Sequence, residues 1–272
     1  MIKIAVMTET NDVWLLDAWV KTFKLLSNEG FSIVGIIETP SRLSQHTGLS
    51  VPLWYVYTFG LHDFIKLSLF SINRLIRRWL SPHGSDSSLK KIAENQRIKY
   101  IKCKTPNDKK IVDWIHHYDI DIVACTTSFI INKKTLQAPR LGFVNKHAAL
   151  LPSNKGLFPY FWAHSNSQPQ GISYHLMVEE IDKGPLLHQV VYPKSKDSGS
   201  MVNFYRHVFY FFPEHMFVAI KACVSQRFIS PLTKVKSNYF GLPSRKDVIE
   251  FRRKGGKIIT WIDIYNDIFD KR

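Results

Sequence analysis

Apolar residues are concentrated in short runs that alternate with amphipathic stretches along the first half of the chain. Residues 3–7, 31–37, 120–125 and 141–145 are such runs, and each has the length and composition of a buried strand. Between the first two runs, residues 12–26 repeat leucine and aromatic side chains at helical spacing. A strand, a helix and a second strand in this order predict a right-handed βαβ unit and a parallel sheet. The predicted fold class is therefore α/β, with a doubly wound, mostly parallel, Rossmann-like sheet.

Later segments extend this pattern and predict a main domain that covers residues 1–195. Thr105 and Pro106, followed by Asp108, predict the start of a further helix, with a capping residue and the proline at its first position. Residues 171–178 and 186–192 predict two more strands. A tight turn that contains Asp182 joins these two strands.

Residues from about 50 to 90 interrupt the alternation and predict a helical insertion. This stretch is rich in leucine and aromatic residues and then becomes basic. It contains His62, Asp63 and Lys66, which argue against a transmembrane helix. A helix packed on the domain is the favoured interpretation, and an amphipathic helix that contacts a membrane surface stays open. Turn residues throughout 81–88 predict a loop.

The C-terminal region, residues 196–272, has a different character from the main domain. Residues 201–224 predict one long helix with a kink at Pro213. The remainder predicts short strands and turns, with a helix near residues 245–253. We therefore expect a smaller C-terminal region beside the main domain.

Composition adds a strong positive charge to this picture. The 272 residues have a formal net charge of +15, which favours anionic partners such as nucleic acid, phosphate-bearing molecules or anionic lipid, or gives a solvated basic surface. The three cysteines are far apart, which argues against a disulfide framework and predicts the cytoplasm. The N-terminal apolar run is too short for a signal peptide. No metal site is predicted, because His116 and His117 have no further ligand at suitable spacing.

Three polar residues are candidates for chemistry at the end of the strand near residue 145. Asn145 and His147 lie two positions apart and so face one side of an extended chain, at the edge where α/β sheets bind ligands. Asp182, in its predicted turn, can reach the same edge. An amide can donate to a developing oxyanion, a neutral imidazole can take up a proton, and a carboxylate can stabilise the imidazolium. The absence of a neighbouring nucleophile favours direct acyl transfer, and a purely structural histidine is the competing interpretation.

The same residues resemble the signatures of a known enzyme family. Asn145 and His147, followed by Leu-Leu-Pro at 150–152, are similar to the first signature of the formyl-tetrahydrofolate-dependent formyltransferases. Residues 171–175 and the Ile-Asp-Lys-Gly sequence around Asp182 are similar to the second. That family includes glycinamide ribonucleotide transformylase, methionyl-tRNA formyltransferase and the sugar N-formyltransferases.

This resemblance implies a catalytic site and a co-substrate. Asn145, His147 and Asp182 correspond to the family's catalytic trio, and 10-formyltetrahydrofolate is the implied formyl donor. The resemblance also implies two loops that hold the folate, whose residues are Ser128, Phe129, Ile130, Ile131, Glu180 and Ile181. His175, on the strand before Asp182, is interpreted as structural support.

The acceptor is less well defined by the resemblance. Residues 8–11 replace the glycine-rich loop that grips a ribose phosphate in glycinamide ribonucleotide transformylase, which argues against that substrate. Residues 195–272 lack the pattern of a strand-rich tRNA-binding barrel. We therefore expect an enzyme most like a sugar N-formyltransferase, acting on a nucleotide-linked amino sugar. Methionyl-tRNA or another macromolecule is the alternative acceptor. A lipid-linked sugar, a peripheral membrane contact, a formyl-tetrahydrofolate hydrolase and a non-catalytic binding protein also stay open.

Overall fold

A seven-stranded sheet forms the centre of the computed structural model, which describes residues 1–10, 15–80, 88–192 and 199–269. In chain order the strands are β1 (Lys3–Glu9), β2 (Ser32–Thr39), β3 (Lys99–Lys102), β4 (Ile122–Thr126), β5 (Gly142–His147), β6 (Lys155–Gly156), β7 (Gln170–Leu176), β8 (Leu186–Tyr192) and β9 (Tyr239–Phe240). The large sheet has the order β3-β2-β1-β4-β5-β7-β8, and β6 pairs separately with β9. Neighbouring strands from β3 to β5 are parallel, whereas β7 and β8 add in antiparallel fashion. The predicted α/β class with a mostly parallel sheet is confirmed.

Helices connect and cover these strands. They are α1 (Leu15–Asn28), α2 (Ser50–Phe59), α3 (Leu61–Leu80), α4 (Leu89–Asn95), α5 (Lys109–His117), α6 (Lys133–Leu136), α7 (Pro159–Ser165), α8 (Met201–Tyr210), α9 (Phe212–Val224), α10 (Arg245–Arg253) and α11 (Trp261–Ile268). Helices α2 and α3 occupy the predicted insertion. Among the described residues, no helix is long and apolar enough to cross a membrane.

Both faces of the sheet are buried under helices. Along β1, Ile4 and Val6 point into a core that contains residues of α1, α8 and α9. Ala5 and Met7 point into a second core, with residues of α5 and α6. This alternation follows the two-residue period of a strand and explains why the run is apolar throughout. Helices α8 and α9, from the predicted C-terminal region, therefore share a core with the sheet.

Three expectations concern residues that the structure does not describe. They are the start of the first helix at Asp12, most of the loop at 81–88, and the domain boundary at residue 195. The described part of the first helix begins at Leu15 and agrees with the predicted spacing.

The single long helix predicted for residues 201–224 is wrong, because α8 and α9 are separate helices that meet at Phe211. Pro213 lies in the first turn of α9, where its missing N–H has no helical partner to lose. Helix α11 was not predicted. Thr260 and Asp263 form a capping box at its start, and that spacing was the available sequence signal.

Two element boundaries also differ from the prediction. Strand β5 continues to His147, because Lys146 and His147 pair with β7. Helix α5 begins at Lys109, so Pro106 lies outside the helix instead of at its first position. The short strand β3, with two exposed and two half-buried residues, was not predicted.

Close packing at Gly171 predicts a measurable effect on stability. A Cβ atom there would collide with the Val190 carbonyl and the Leu150 side chain. We expect Gly171→Ala to lower the free energy of unfolding by about 1–3 kcal/mol in urea denaturation. Gly241→Ala is the matched control, because no atom lies within 4 Å of the added methyl group. Equal effects of the two substitutions would contradict the packing of β7 against its neighbours.

Candidate active site

The candidate site lies at the carboxyl ends of β1, β4 and β5. Cys125 in β4 pairs with Asn145 in β5, and Asn145 pairs on its other side with His175 in β7. Asn145 and His147 are two residues apart in β5, and both line one cavity. The structure therefore places an amide and an imidazole at the same edge of the sheet.

Asp182 reaches this edge from the loop between β7 and β8. The Leu176 N–H donates to the Pro185 carbonyl at 3.0 Å and closes the base of the loop. A side chain at Gly184 would collide with the Leu176 carbonyl, so this position requires glycine. Asp182 has a φ of 52°, a left-handed conformation that aspartate tolerates better than most residues. The loop thereby brings the Asp182 carboxylate to β5.

The Asp182 carboxylate lies between two imidazoles. Its Oδ2 is 3.5 Å from His147 Nδ1, and its Oδ1 is 3.5 Å from His175 Nε2. The Gly156 N–H donates to Oδ2 at 2.9 Å. Asn145 Nδ2 lies 3.4 Å from His175 Nε2. All four side chains therefore belong to one network.

Backbone carbonyls allow the tautomers of both histidines to be assigned. His147 Nε2 is 2.8 Å from the Asn154 carbonyl, and His175 Nδ1 is 2.9 Å from the Leu176 carbonyl. A carbonyl only accepts, so we assign a proton to each of these nitrogens. In neutral His147 the unprotonated nitrogen is then Nδ1, which faces Asp182. This nitrogen is the one that can take up a proton.

Burial and charge set the protonation states of this pair. His147 is 6% exposed, and burial lowers its pKa below the ordinary 6.5 against the opposing influence of Asp182. Burial alone raises the pKa of Asp182, but the two imidazoles and the Gly156 N–H outweigh it and hold that pKa well below its usual range. The site therefore holds a neutral imidazole beside an ionised carboxylate at neutral pH. A general base requires this state.

Further hydrogen bonds hold the loop that follows His147. Ser173 Oγ accepts from the Leu151 N–H at 2.9 Å. Gln189 Nε2 donates to Ser173 Oγ at 2.7 Å and to the Leu151 carbonyl at 2.9 Å. These contacts fix the path of the chain towards Asn154, whose carbonyl orients His147.

His175 lies closer to the chemistry than its sequence position indicates. It was interpreted as structural support because it comes several residues before Asp182. The antiparallel pairing of β7 with β5 places it opposite Asn145, and it is 1% exposed. The sequence signal was the alternation of Ser173 and His175 on one face of β7, which has a meaning only once the partner strand is known.

The network lines a cavity of about 670 Å³. Aromatic side chains of Phe158, Tyr205 and Phe209 line it as well. Lys146 Nζ lies 4.4 Å from the centroid of the Phe209 ring, a cation–π contact. The volume suits a small-molecule ligand, and the lining combines apolar surface with a few polar groups.

Most of the residues predicted to bind folate line this cavity. They are Ser128, Phe129, Ile130, Ile131 and Ile181. Glu180 is not among the lining residues and is exposed to solvent. Its carbonyl accepts from the Lys183 N–H in a turn, which accounts for its position at the outer side of the loop.

Side chains from neighbouring segments hold the loop after β4. The Ser128 N–H donates to the Glu9 carboxylate, so this amide is already engaged. Asn107 Nδ2 donates to the Ile130 carbonyl at 3.0 Å. An ion pair of 3.2 Å between Lys133 and Glu179 connects this part of the chain with the Asp182 loop. Across the described ranges, no cluster of three or more His, Cys, Asp or Glu residues is suited to hold a metal ion.

Fold and network together define a class of protein: an α/β domain with an acid–base site at the carboxyl ends of its parallel strands. Residues 85–206 match the family model described as formyl transferase. Asn145, His147 and Asp182 all lie within the matched residues. The match confirms the resemblance of the two sequence signatures to this family.

Curated relatives match the chain over part of its length. It is 32% identical over 139 residues to the bifunctional polymyxin resistance protein ArnA of Wigglesworthia glossinidia brevipalpis, covering 48% of this chain and 20% of that protein. It is 30% identical over 103 residues to the methionyl-tRNA formyltransferase of Thermotoga maritima, covering 37% and 33%. The matched regions thus span no more than about a third of these relatives.

Solved structures extend the likeness to most of the fold. A sugar N-formyltransferase from a Shewanella species matches with a TM-score of 0.56 and 17% identity, covering 93% of this chain and 88% of that one. A sugar 3N-formyltransferase, WlaRD, matches with a TM-score of 0.54 and 19% identity, covering 91% and 71%. A formyltetrahydrofolate deformylase from Pseudomonas syringae matches with 0.55 and 17%, covering 89% and 65%. At these identities the likeness shows the fold.

The geometry of the network predicts the titration of His147. We expect its imidazole to titrate in NMR with a pKa below 6.5, because burial disfavours the charged ring. Asp182→Asn should lower this pKa further, because the carboxylate raises it. His188 lies outside the cavity lining and is the control, with the same titration in both proteins. A higher pKa of His147 in the Asp182→Asn variant would contradict the assigned arrangement.

Proposed function

We propose that this protein is an N-formyltransferase that moves a formyl group from 10-formyltetrahydrofolate to the amine of a nucleotide-linked amino sugar. The observation that carries the proposal is the network of Asn145, His175, Asp182 and His147 on the cavity wall. Its location inside residues 85–206, which match the formyl transferase model, supports the formyl group as the unit transferred.

In this mechanism His147 acts as the base. Nδ1 takes up the proton that the amine loses as its nitrogen bonds to the formyl carbon, and Asp182 stabilises the resulting imidazolium. The proton then passes to the folate nitrogen as the bond between that nitrogen and the formyl carbon breaks. Asn145 Nδ2 carries two N–H groups. One faces His175, and the other can donate to the negative charge that develops on the formyl oxygen.

In this proposal the folate carrier lies against the loop after β4. Phe129, Ile130 and Ile131 supply apolar surface from this loop, and Ile181 supplies it from the Asp182 loop. A flat ring between two apolar loops removes that surface from water. The presence of 5-N-formyl-THF in the related WlaRD structure supports a reduced folate as the donor.

Several features favour a nucleotide-linked amino sugar as the acceptor. Tyr205 and Phe209 offer rings for stacking with a base, and Arg42 and Lys146 bring positive charge to the cavity lining. Glu9 places a carboxylate beside Ser128 at the end of β1, which disfavours a phosphate at this position. This carboxylate argues against glycinamide ribonucleotide.

Methionyl-tRNA is the second candidate acceptor. The formal charge of +15 and the match to methionyl-tRNA formyltransferases favour it. Within residues 199–269, however, β9 is the one named strand, and helices α8 to α11 make up most of the rest. The strand-rich barrel that the family resemblance implies for tRNA binding is not formed by these described residues. We therefore rank the amino sugar first.

The proposed location is the cytoplasm. Cys103, Cys125 and Cys223 are free and buried, and burial raises the pKa of each thiol. Unreactive buried thiols and cytosolic reduced folate both fit this compartment.

The proposal predicts which amine is formylated. The protein should be incubated with 10-formyltetrahydrofolate and, in separate reactions, nucleotide-linked amino sugars, glycinamide ribonucleotide or methionyl-tRNA. We expect release of tetrahydrofolate and a formamide product, detected by mass spectrometry, to be fastest with a nucleotide-linked amino sugar.

Two outcomes of this experiment would overturn parts of the proposal. Release of tetrahydrofolate at the same rate without any amine would identify a hydrolase, as water would then be the acceptor. Faster formylation of methionyl-tRNA than of any amino sugar would assign the acceptor to tRNA. The reaction without acceptor is therefore the essential control.

A further inference from the structure

Helix α3 turns Asp63 and Lys66 towards the protein and a row of aliphatic residues towards solvent. Asp63 and Lys66 form an ion pair of 2.9 Å and are both buried. The aliphatic residues that are 44–62% exposed are Leu61, Ile65, Leu69, Ile72, Leu75 and Ile76. Their spacing of three to four residues puts them on one side of the helix. This polarity is the reverse of that expected for a helix on a water-exposed surface.

Helix α11 has the same reversed polarity. Asp263 and Asp267 are buried, at 5% and 3% exposure, although both are charged residues. The exposed residues of this helix and its end are Trp261, Ile262, Tyr265, Ile268 and Phe269. Large apolar side chains thus face outwards from two successive turns.

The two helices lie side by side through their polar residues. Arg74 Nε is 2.9 Å from Asp267 Oδ1, and Asn73 Nδ2 donates to Asp267 Oδ2 at 2.8 Å. Earlier along α3, Lys66 Nζ donates to the Ile259 carbonyl at 2.9 Å. The buried charges are therefore paired, which offsets the cost of removing them from water. We call the exposed apolar residues of α3 and α11 the outer face.

Positive charge lies at both ends of the outer face. Arg252, at the end of α10, is 2.7 Å from Asp63 near the start of α3, and the exposed Arg253 and Lys257 follow close by in the chain. At the other end, the Arg77 guanidinium donates to the Asp267 carbonyl. The apolar surface therefore lies between cationic groups.

We propose that the outer face binds the surface of an anionic lipid bilayer, with α3 and α11 in the plane of the interface. Two neighbouring helices whose exposed side chains are largely apolar are unusual on a monomeric protein without a partner. Apolar side chains with Trp and Tyr among them, bounded by Lys and Arg, match the headgroup region of such a bilayer. The formal charge of +15 attracts the whole protein to the same surface.

Charge also distinguishes a bilayer from a second copy of the chain. Two copies paired through this face in a symmetric dimer would use the same patch on each side. Because cations lie at both ends, parallel and antiparallel pairing alike would bring like charges together. An anionic surface instead complements both ends.

The outer face is connected to the cavity through α2. The rings of Trp54 and Phe59, in α2, lie 5.5 Å and 5.8 Å from that of Phe158, which lines the cavity. Helix α2 continues into α3 at Gly60. Bilayer contact through α3 would thus hold the cavity near a membrane surface, whatever the acceptor.

Vesicle sedimentation tests this inference without any folate or acceptor, so its outcome is independent of the proposed reaction. We expect the protein to bind vesicles of phosphatidylcholine mixed with phosphatidylglycerol and to bind pure phosphatidylcholine vesicles weakly. Ile72→Asp and Ile262→Asp should each weaken the binding about tenfold or more, because they place a charge on the outer face. Val191→Asp, at a residue in β8 that is 48% exposed, is the matched control.

A charge-removing pair at one end of the outer face separates the local positive charge there from the net charge of the protein. Arg253→Gln with Lys257→Gln should weaken binding to the mixed vesicles about tenfold. Lys24→Gln with Lys234→Gln, at exposed residues elsewhere, removes the same charge and should have a much smaller effect. Thermal melting establishes that each variant is folded.

Two results would overturn the bilayer proposal. One is absence of binding to the mixed vesicles, or unchanged binding by the Ile72 and Ile262 variants. The other is a dimer in light scattering that Ile72→Asp dissociates, which would assign the outer face to a second copy of the chain.

Discussion

The position of one buried carboxylate determines what the rest of this site can do. Asp182 accepts from the Gly156 N–H and lies 3.5 Å from a nitrogen of both His147 and His175, and its pKa is held well below the usual range although it lies in a largely buried place. Its charge counteracts the effect of burial on the pKa of His147 and is ready to stabilise the ring when a proton arrives. Without the carboxylate, the buried imidazole would be a poor proton acceptor.

The sheet topology supplies these contacts. The addition of β7 antiparallel to β5 places His175 beside Asn145, and the loop that leaves β7 carries Asp182 back to the same edge. Gly184 permits the close approach of the loop to β7. The outer face of α3 and α11 follows the same physical rule in a different place, because its buried charges are also paired within the protein. In both places the buried charged groups have partners that the fold holds in position.

The apolar runs were sufficient to predict most strands of the sheet, because strands buried on both faces have few polar residues. The spacing of Asn145 and His147 placed them together, and the turn between two predicted strands brought Asp182 to the same edge. The family resemblance then grouped the three as a catalytic trio. The place of His175 in the network follows from the pairing of β7 with β5. A local sequence pattern does not reveal which strands pair. Glu180 lies outside the cavity because its turn directs it to solvent. Helix α11 was not predicted, although Thr260 and Asp263 form a capping box and the apolar residues of 261–269 recur at helical spacing.

The central claim is that His147 and Asp182 act as one unit in formyl transfer, and steady-state kinetics of the two single variants and the double variant test it most directly. We predict that His147→Ala and Asp182→Asn each lower kcat by about 10²–10⁴, as expected for loss of a general base. The double variant should be little slower than the slower single variant, because residues that act as a unit are not additive. His188→Ala, at another partly buried histidine, should keep kcat within a few-fold. A single variant with near wild-type kcat, or losses that multiply in the double variant, would contradict the claim.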